Sequence, residues 1–242
     1  MKFAACKVSV SPLRADKRDD SEMVSQLLFG EPVEVMDIQD NWTKIKTLFD
    51  NYEAWLDTKQ LIFLSEKEVK RWMNGLSMMT NPICEIQTPW GKQSLLKGAY
   101  LPANETHGFN VGNFTFEFLG DGAFKQNVTF KELVMSYENA PYLWGGKSPY
   151  GIDCSGFTQQ VFRIQHKQLP RDASQQVDLG QEIAFEESEF GDLAYFHNKS
   201  GKVTHVGIIL DKQRIIHASG WVRIDELRAE GIWHKDKNIL TH

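Results

Sequence analysis

Short alternating runs of apolar and polar residues fill the first part of the chain. Val33, Val35 and Ile38 stand between polar neighbours, and a similar alternation recurs over 42–47. A period of two is typical of strands with one buried face, and these runs are too brief for helices. We therefore predict a small all-β barrel over residues 1–64.

A short helix and a second set of strand-like runs follow. Ser65 precedes a polar stretch that has Glu68 at the third following position and ends before Gly75. This pattern predicts a capped connector helix over 65–75. Residues 76–127 return to short apolar runs between turn residues, and they predict a second small β-barrel.

The pattern changes after residue 127. Phe130, Leu133, Val134 and Tyr137 share one face of a predicted helix. One further helix and three strands are predicted at 154–165, 192–196, 203–210 and 214–219. Because the helices precede an antiparallel sheet, we predict an α+β domain over residues 128–242.

Composition and charge exclude several classes of protein. The chain has 242 residues, of which 41% are apolar and 24% are charged, as is typical of globular proteins. Its 27 basic and 32 acidic residues give a net charge of −5, and no segment concentrates Lys and Arg. Since nucleic-acid binding needs a basic surface, we expect no such partner.

The sequence predicts neither a membrane span nor a signal peptide. The longest apolar run lies near 206–210, whereas a span needs about 20 residues. Lys7 and Arg14 interrupt the N-terminal segment before the apolar core of a signal, about 7–15 residues, can form. Three scattered cysteines are too few for a disulfide framework. These features favour a cytoplasmic protein, or a periplasmic one if a signal has been removed.

Cys154 is the strongest candidate for a nucleophile. Phe157, Val161 and Ile164 follow it at helical spacing, so Asp153 is the predicted N-cap and Cys154 lies in the first turn. Aligned peptide dipoles stabilise an anion there, which predicts a lowered thiol pKa. The alternative is a buried cysteine that only packs as a small apolar side chain.

Two histidines on consecutive predicted strands could supply a base. A hairpin that turns near 211–213 places His205 and His217 opposite each other or one diagonal step apart, at about 5–8 Å. With an even register they share a face, on which Gly207 leaves room for another element. If the start of the cysteine helix lies across that face, Cys154, His205 and His217 provide a nucleophile, a base and an orienting group.

Two plainer interpretations of these residues stay open. Each histidine could be a half-buried strand residue, and one cysteine with two histidines could bind zinc. A structural zinc site closes with four ligands, and no fourth Cys or His has suitable spacing, so we expect no metal and no cofactor. The other histidines are assigned to solvent: His107, His166, His197, His234 and His242.

Six short motifs occur in the order found in one enzyme family. They are PYLWGG at 141–146, GIDCSG at 151–156, LPRD at 169–172, GDLAYF at 191–196, THVGI at 204–208 and IHAS at 216–219. Together they resemble the NlpC/P60 family of cell-wall cysteine peptidases over residues 128–242. The resemblance implies a papain-like domain with a Cys-His-His arrangement, preceded by two bacterial SH3-like barrels.

Within that family, the chain is similar to the γ-D-glutamyl-L-diamino-acid endopeptidases of the dipeptidyl-peptidase VI type. The resemblance implies cleavage of the γ-D-glutamyl-L-diamino-acid bond in muropeptides that have a free N-terminal L-Ala, with release of L-Ala-γ-D-Glu for murein recycling. It implies that Cys154 attacks, that His205 carries the proton and that His217 orients His205. Tyr142 matches a family tyrosine near the oxyanion, and simple packing under the following glycine turn is the alternative.

The resemblance also implies substrate contacts. Six positions match family residues that bind substrate: Glu22, Tyr52, Asp153, Ser155, Asp172 and Ser174. Glu22 and Tyr52 belong to the first barrel and match an acidic residue and a loop that enclose the alanine ammonium. Ala54 replaces a glycine of that loop, and Ala173 replaces a serine that the family often has. Alternatively, Glu22 is a solvated charge and Asp153 is only a helix cap.

Two other functions stay open. The same three residues could serve an amidase or acyltransferase on another substrate, and the barrels could belong to a non-catalytic protein that binds the cell wall. The expected partner is a small muropeptide, L-Ala-γ-D-Glu-L-Lys or its diaminopimelate counterpart. We expect a monomer with no nucleic-acid and no membrane partner.

Overall fold

Strands outnumber helices in both units into which the chain divides. The structure is a computed structural model, and it describes residues 2–120, 124, 128–235 and 237–241. Within these ranges, no helix combines the length and the apolar character needed to cross a membrane.

The first unit comprises residues 1–129 with 147–149 and begins with a seven-stranded sheet. Its strands are β1 Phe3–Cys6, β2 Val10–Arg14, β3 Met23–Leu28, β4 Pro32–Gln39, β5 Trp42–Thr47, β6 Glu53–Asp57 and β7 Leu61–Leu64. They lie in the order β3-β2-β6-β5-β4-β1-β7, and the described pairings are antiparallel. The strands predicted from alternation are confirmed. A bulge between Val35 and Asp37 shifts the register of β4, and Ile38 beyond it is exposed.

Helix α1 Glu66–Met73 follows, as predicted. Ser65 and Glu68 form a capping box, in which each side chain bonds the backbone N–H of the other. The helix buries Trp72, whose Nε1 donates a hydrogen bond to the carbonyl oxygen of Gly30 at 2.7 Å. The connector is therefore anchored to the first sheet.

The rest of this unit contains a four-stranded and a two-stranded sheet, together with a strand from later in the chain. The strands are β8 Leu76–Met78, β9 Ile83–Thr88, β10 Gly91–Leu96, β11 Tyr100–Pro102, β12 Gly108–Val111, β13 Phe114–Phe118 and β14 Lys147–Ser148. Their core is continuous with the first sheet, because Phe29 and Trp72 pack in one cluster with Phe109 and Phe116. A second SH3-like barrel in this segment stays a prediction.

The second unit comprises residues 130–146 with 150–242 and is an α+β domain. Its elements are α2 Phe130–Met135, β15 Gly151–Ile152, α3 Cys154–Ile164, α4 Ala173–Gln176, β16 Leu193–His197, β17 Val203–Asp211, β18 Arg214–Ser219, β19 Trp221–Arg228, β20 Gly231–His234 and β21 Ile239–Leu240. Single 3₁₀ turns occur in the chain at Thr58–Gln60, Val177–Leu179 and Phe185–Glu187. Strands β16 to β21 form an antiparallel sheet in chain order, and α3 packs on β17 and β18. Helix α3 and strands β16 to β18 confirm the predicted helix and the three predicted strands, whereas β19 to β21 were not predicted.

Candidate active site

Cys154 is the first residue of α3, as predicted. Asp153 caps the helix, and its Oδ1 accepts a hydrogen bond from the N–H of Gly156 at 2.7 Å. The thiol side chain is buried against Val206 of β17. The backbone N–H groups of Ser155 and Val206 donate towards its sulfur. The start of the helix therefore lies against the strand that carries His205.

The lowered pKa predicted for this thiol is wrong. Burial raises the pKa of Cys154 to about 11, and the negative charge of Asp153 adds to the rise. The backbone donors and the Arg171 guanidinium act in the opposite direction and are outweighed. Helical spacing reveals the dipole at the helix start but not the loss of water around the sulfur. The resting thiol is protonated at neutral pH and needs a base to become a nucleophile.

His205 of β17 and His217 of β18 lie on one face of the sheet. Gly207 pairs with His217, which puts His205 one diagonal step away, within the register expected from the sequence. His205 Nε2 and His217 Nδ1 are 2.7 Å apart, and both rings are buried. A Cβ added at Gly207 would lie 2.6 Å from Ile215 Cδ1 and 2.9 Å from His217 Cβ. Gly207 thus makes room for the side chains of β18, which corrects the expectation that it admits a separate element.

A carboxylate that was not among the predicted site residues extends the two histidines into a hydrogen-bonded row. Asp225 of β19 lies with its Oδ2 2.9 Å from His217 Nε2, and its Oδ1 accepts a hydrogen bond from Arg223 at 2.7 Å. Arg223 also lies 3.2 Å from His234 Nε2, so His234 is a half-buried residue of β20 and its assignment to solvent was wrong. An aspartate inside the alternating run 221–228 is the sequence signal that could have revealed this strand.

The hydrogen-bond partners assign protons to the imidazole nitrogens. Burial raises the pKa of Asp225, but hydrogen bonds from His217 and Arg223 outweigh it and bring the pKa below its usual value. The ionised carboxylate only accepts, so Nε2 of His217 carries a proton. When both rings are neutral, Nδ1 of His217 accepts from Nε2–H of His205, and Nδ1 of His205 is the unprotonated nitrogen that can take the proton of a thiol.

Arg171 is the buried counter-ion of Asp153. Its Nη1 lies 3.0 Å from Asp153 Oδ1 and its Nη2 lies 2.5 Å from Oδ2, while Nη1 also donates to Ser155 Oγ at 3.0 Å. The N–H of Gly145 donates to Asp153 Oδ2 at 2.8 Å, in addition to the cap bond from Gly156. Both oxygens of Asp153 are therefore engaged in holding the start of α3. This arrangement agrees with the alternative that Asp153 is a helix cap.

Tyr142 lies close enough to Cys154 for an electrostatic interaction between their side chains. Burial raises the pKa of Tyr142 to about 12, and the charges of Cys154 and Asp153 add to the rise. The backbone N–H of Tyr142 donates to the carbonyl oxygen of Gly220 at 3.0 Å. Tyr142 also forms an isolated parallel β-bridge with Ile152. The phenol is protonated at neutral pH and can donate a hydrogen bond to an anion.

Two protein families match parts of this chain. Residues 139–240 match the NlpC/P60 family, and residues 13–61 match the bacterial dipeptidyl-peptidase SH3 domain. The chain carries an NlpC/P60 domain. The matched SH3 domain precedes it, so the predicted family and its association with an SH3 domain are confirmed.

Individual relatives match most of the chain. It is 27% identical over 220 residues to a γ-D-glutamyl-L-lysine dipeptidyl-peptidase of Bacillus subtilis strain 168, covering 82% of this chain and 73% of that protein. It is 26% identical over 234 residues to dipeptidyl-peptidase 6 of Lysinibacillus sphaericus, covering 82% and 81%. The crystal structure of an NlpC/P60 family protein from Bacillus cereus ATCC 10987 has the same fold, with a TM-score of 0.77 and 21% identity over 93% of this chain and 94% of that one.

Two predicted substrate residues lie outside the NlpC/P60 domain, in the first unit. Arg14 of β2 pairs with Met23 of β3 and with Trp55 of β6. Strands β3 and β6 therefore start at the same end of the sheet, and Glu22 and Tyr52 directly precede them. Strand spacing puts these two strands about 10 Å apart. Glu22 is exposed and Tyr52 is half-buried. Their roles in substrate binding stay predictions.

The other predicted contacts belong to the NlpC/P60 domain. Asp172 precedes α4, and Ser174 lies exposed in its only turn. Gln176, which was not predicted, is buried next to the cysteine helix: its Nε2 donates to the carbonyl oxygen of Ser155 at 3.0 Å and its Oε1 accepts from Thr158 at 2.7 Å. The short helix α4 therefore supports the start of α3, and substrate contacts of Asp172 and Ser174 stay predictions.

The geometry of the NlpC/P60 domain favours a hydrogen-bonded row over a zinc site. Both ring nitrogens of His217 are engaged, one by His205 and the other by Asp225. In the part of the chain that the structure describes, no group of three or more His, Cys, Asp and Glu side chains has the geometry of a metal site. The alternative of zinc ligation by Cys154, His205 and His217 thus gains no support.

Proposed function

We propose that this protein is a cysteine peptidase that hydrolyses the γ-D-glutamyl-L-diamino-acid bond of muropeptides with a free N-terminal L-Ala. The observation that carries the proposal is the row of Asp225, His217 and His205, which ends on the strand that packs against Cys154. This row provides a base for a thiol that is protonated at rest. The substrate class follows the relatives that are named γ-D-glutamyl-L-lysine dipeptidyl-peptidases.

In the first half of the reaction, the peptide bond is exchanged for a thioester. Cys154 Sγ bonds to the carbonyl carbon of the γ-amide while Nδ1 of His205 takes the thiol proton. The carbonyl oxygen becomes an oxyanion, to which the Tyr142 hydroxyl and the Cys154 backbone N–H donate. When the C–N bond breaks, His205 returns the proton to the leaving amine of the diamino acid.

In the second half, water replaces the thiol. His205 takes a proton from a water molecule, whose oxygen attacks the thioester carbonyl. The C–S bond then breaks and the proton on His205 returns to Cys154 Sγ, while L-Ala-γ-D-Glu leaves with a new γ-carboxyl group that loses the second water proton to solvent. His217 holds the His205 ring throughout, because its Nδ1 accepts the Nε2–H of His205.

Selection for a free amine needs a carboxylate that contacts the ammonium. Both oxygens of Asp153 are engaged at the start of α3, by Arg171 and by backbone N–H groups. We therefore keep the ammonium contact that the family resemblance implies for Glu22 and Tyr52 of the first unit. A hydrogen bond between charged groups is worth about 1.5–3 kcal/mol when water is excluded.

The test compares L-Ala-γ-D-Glu-L-Lys with its N-acetylated counterpart by mass spectrometry of digests. We expect release of L-Ala-γ-D-Glu from the free peptide and, from the ammonium contact, at least about tenfold slower cleavage of the acetylated one. Cys154→Ala should abolish both reactions. Cys84→Ala, which alters another buried free cysteine, is the matched control and should keep them.

Other outcomes identify which part of the proposal fails. Equal rates on both peptides would remove the ammonium contact, and cleavage of neither peptide would favour an amidase or acyltransferase on another substrate. Hydrolysis that survives Cys154→Ala would contradict a cysteine peptidase. Parallel digests of the diaminopimelate peptide show which third residue is preferred.

A further inference from the structure

We propose that Asp225 is a positioning residue that fixes the tautomers of both histidines, so that His205 presents its unprotonated Nδ1 to the nucleophile. This inference rests on the proposed function. Asp225 acts through His217 and does not itself touch the reacting atoms. It would extend the Cys-His-His arrangement by a fourth member supplied by β19.

The sheet register places Asp225 for this role. Arg223 pairs with His217 across β18 and β19, and Asp225 lies two residues further along the same face. Its Oδ2 lies 2.9 Å from His217 Nε2, and its side chain is almost fully buried. The register of β18 and β19 thus fixes the contact between Asp225 and His217, and no mobile surface side chain is involved.

Arg223 fixes the second oxygen of the carboxylate. Its Nη2 donates to Asp225 Oδ1 at 2.7 Å, its Nη1 lies 3.2 Å from His234 Nε2, and its guanidinium stacks 4.6 Å from the Trp221 ring centre. With Oδ1 occupied, Oδ2 is directed to His217. Because Arg223 also balances much of the carboxylate charge, orientation and tautomer selection are the main effects expected of Asp225.

The alternative tautomer shows why the choice matters. If His217 carried its proton on Nδ1, it would donate to Nε2 of His205. His205 would then hold its own proton on Nδ1 and could not accept one from Cys154. A carboxylate opposite Nε2 of His217 excludes this state, because an ionised carboxylate offers no proton.

Nitrogen-15 NMR of the resting protein tests the assignment without any substrate. We expect the neutral His217 ring to be protonated at Nε2 and the neutral His205 ring to be protonated at Nε2 as well. Protonation of His217 at Nδ1 in the wild-type protein would overturn the proposal. Because this measurement needs no turnover, a protein that cleaves no muropeptide would defeat the proposed function while the tautomers still decide this inference.

Kinetics of two variants separate positioning from packing. Asp225→Asn keeps the shape but can turn an NH₂ group to His217, which favours the wrong tautomer, whereas Asp225→Ala only removes the acceptor. We expect kcat of Asp225→Asn to fall about 10–100-fold, at least as far as that of Asp225→Ala, with KM changed less than about twofold. If Asp225 had only a structural role, kcat of Asp225→Asn would stay near the wild-type value and kcat of Asp225→Ala would fall further.

The neighbouring residue provides the control. Glu226→Gln changes an exposed carboxylate of the same strand, which pairs with Arg228, and should leave kcat and the tautomers unchanged. Wild-type kcat in Asp225→Asn would overturn the proposal. If Asp225→Asn folds poorly, the wild-type tautomers and the Asp225→Ala kinetics still decide it, since full activity in Asp225→Ala contradicts a positioning role.

Discussion

Cys154 combines a reactive position with an unreactive resting state. Its place at the start of a helix could be predicted, because spacing alone determines which residues follow it along one face. Its pKa could not, because burial is the main cause of the raised value and the residues that bury the sulfur, among them Ala173 and Val206, are distant in sequence. The same environment explains why the histidine row is needed: the sulfur depends on proton transfer to His205 during the reaction.

Alkylation of Cys154 should therefore depend steeply on pH. With its pKa raised to about 11, the thiolate fraction grows about tenfold per pH unit below that value, so the rate with iodoacetamide should rise continuously from pH 7 to pH 9.5. Peptide mass spectrometry gives the rate at each pH. Cys6, whose pKa is raised to about 12 by burial, should stay unlabelled over the same range. A rate for Cys154 that is already constant from pH 7 would contradict the buried, protonated thiol.

The hairpin of β17 and β18 shows what strand patterns can and cannot predict. Residue numbers and the turn length were enough to place His205 and His217 on one face, since side chains alternate with a period of two. Asp225 was missed because the sequence analysis predicted no strand after residue 219, and a partner two strands away cannot be inferred without that strand. Arg171 was missed for a related reason: a loop, rather than a periodic element, carries it to Asp153.

Loss of Arg171 should destabilise the second unit through the start of α3. Arg171→Met keeps the volume but leaves the buried carboxylate of Asp153 without its counter-ion, which costs about 3–5 kcal/mol. Denaturant unfolding followed by circular dichroism measures the loss. The double variant with Asp153→Asn should recover part of the stability, because the uncompensated charge is removed.

The matched control changes an arginine in an exposed ion pair. Arg214→Met breaks the contact with Asp211 on the surface of the same unit and should leave the unfolding midpoint unchanged. An Arg171→Met protein as stable as the wild type would show that the pair with Asp153 does not hold the helix start.

At the level of the whole chain, local periodicity predicted the first three strands of the second sheet and both longer helices. What the pattern did not reveal is that the strands after α1 share a core with the first sheet. Such packing depends on large side chains far apart in sequence: Phe29 lies 5.4 Å from Phe116 between ring centres, and Trp72 lies 5.8 Å from Phe109.

The shared core predicts that the seven-stranded sheet and the strands after α1 unfold together. Trp72→Ala removes a buried ring that packs in this core, together with its hydrogen bond to Gly30. It should lower the free energy of unfolding by about 3–5 kcal/mol. Hydrogen exchange of the full chain should then be about 100-fold faster or more for the most protected amides of both β5 and β9. Trp90→Ala, which removes a half-exposed ring of the same unit, should leave β5 unchanged. Faster exchange in β9 alone would mean that the two parts are separate folding units joined only by α1.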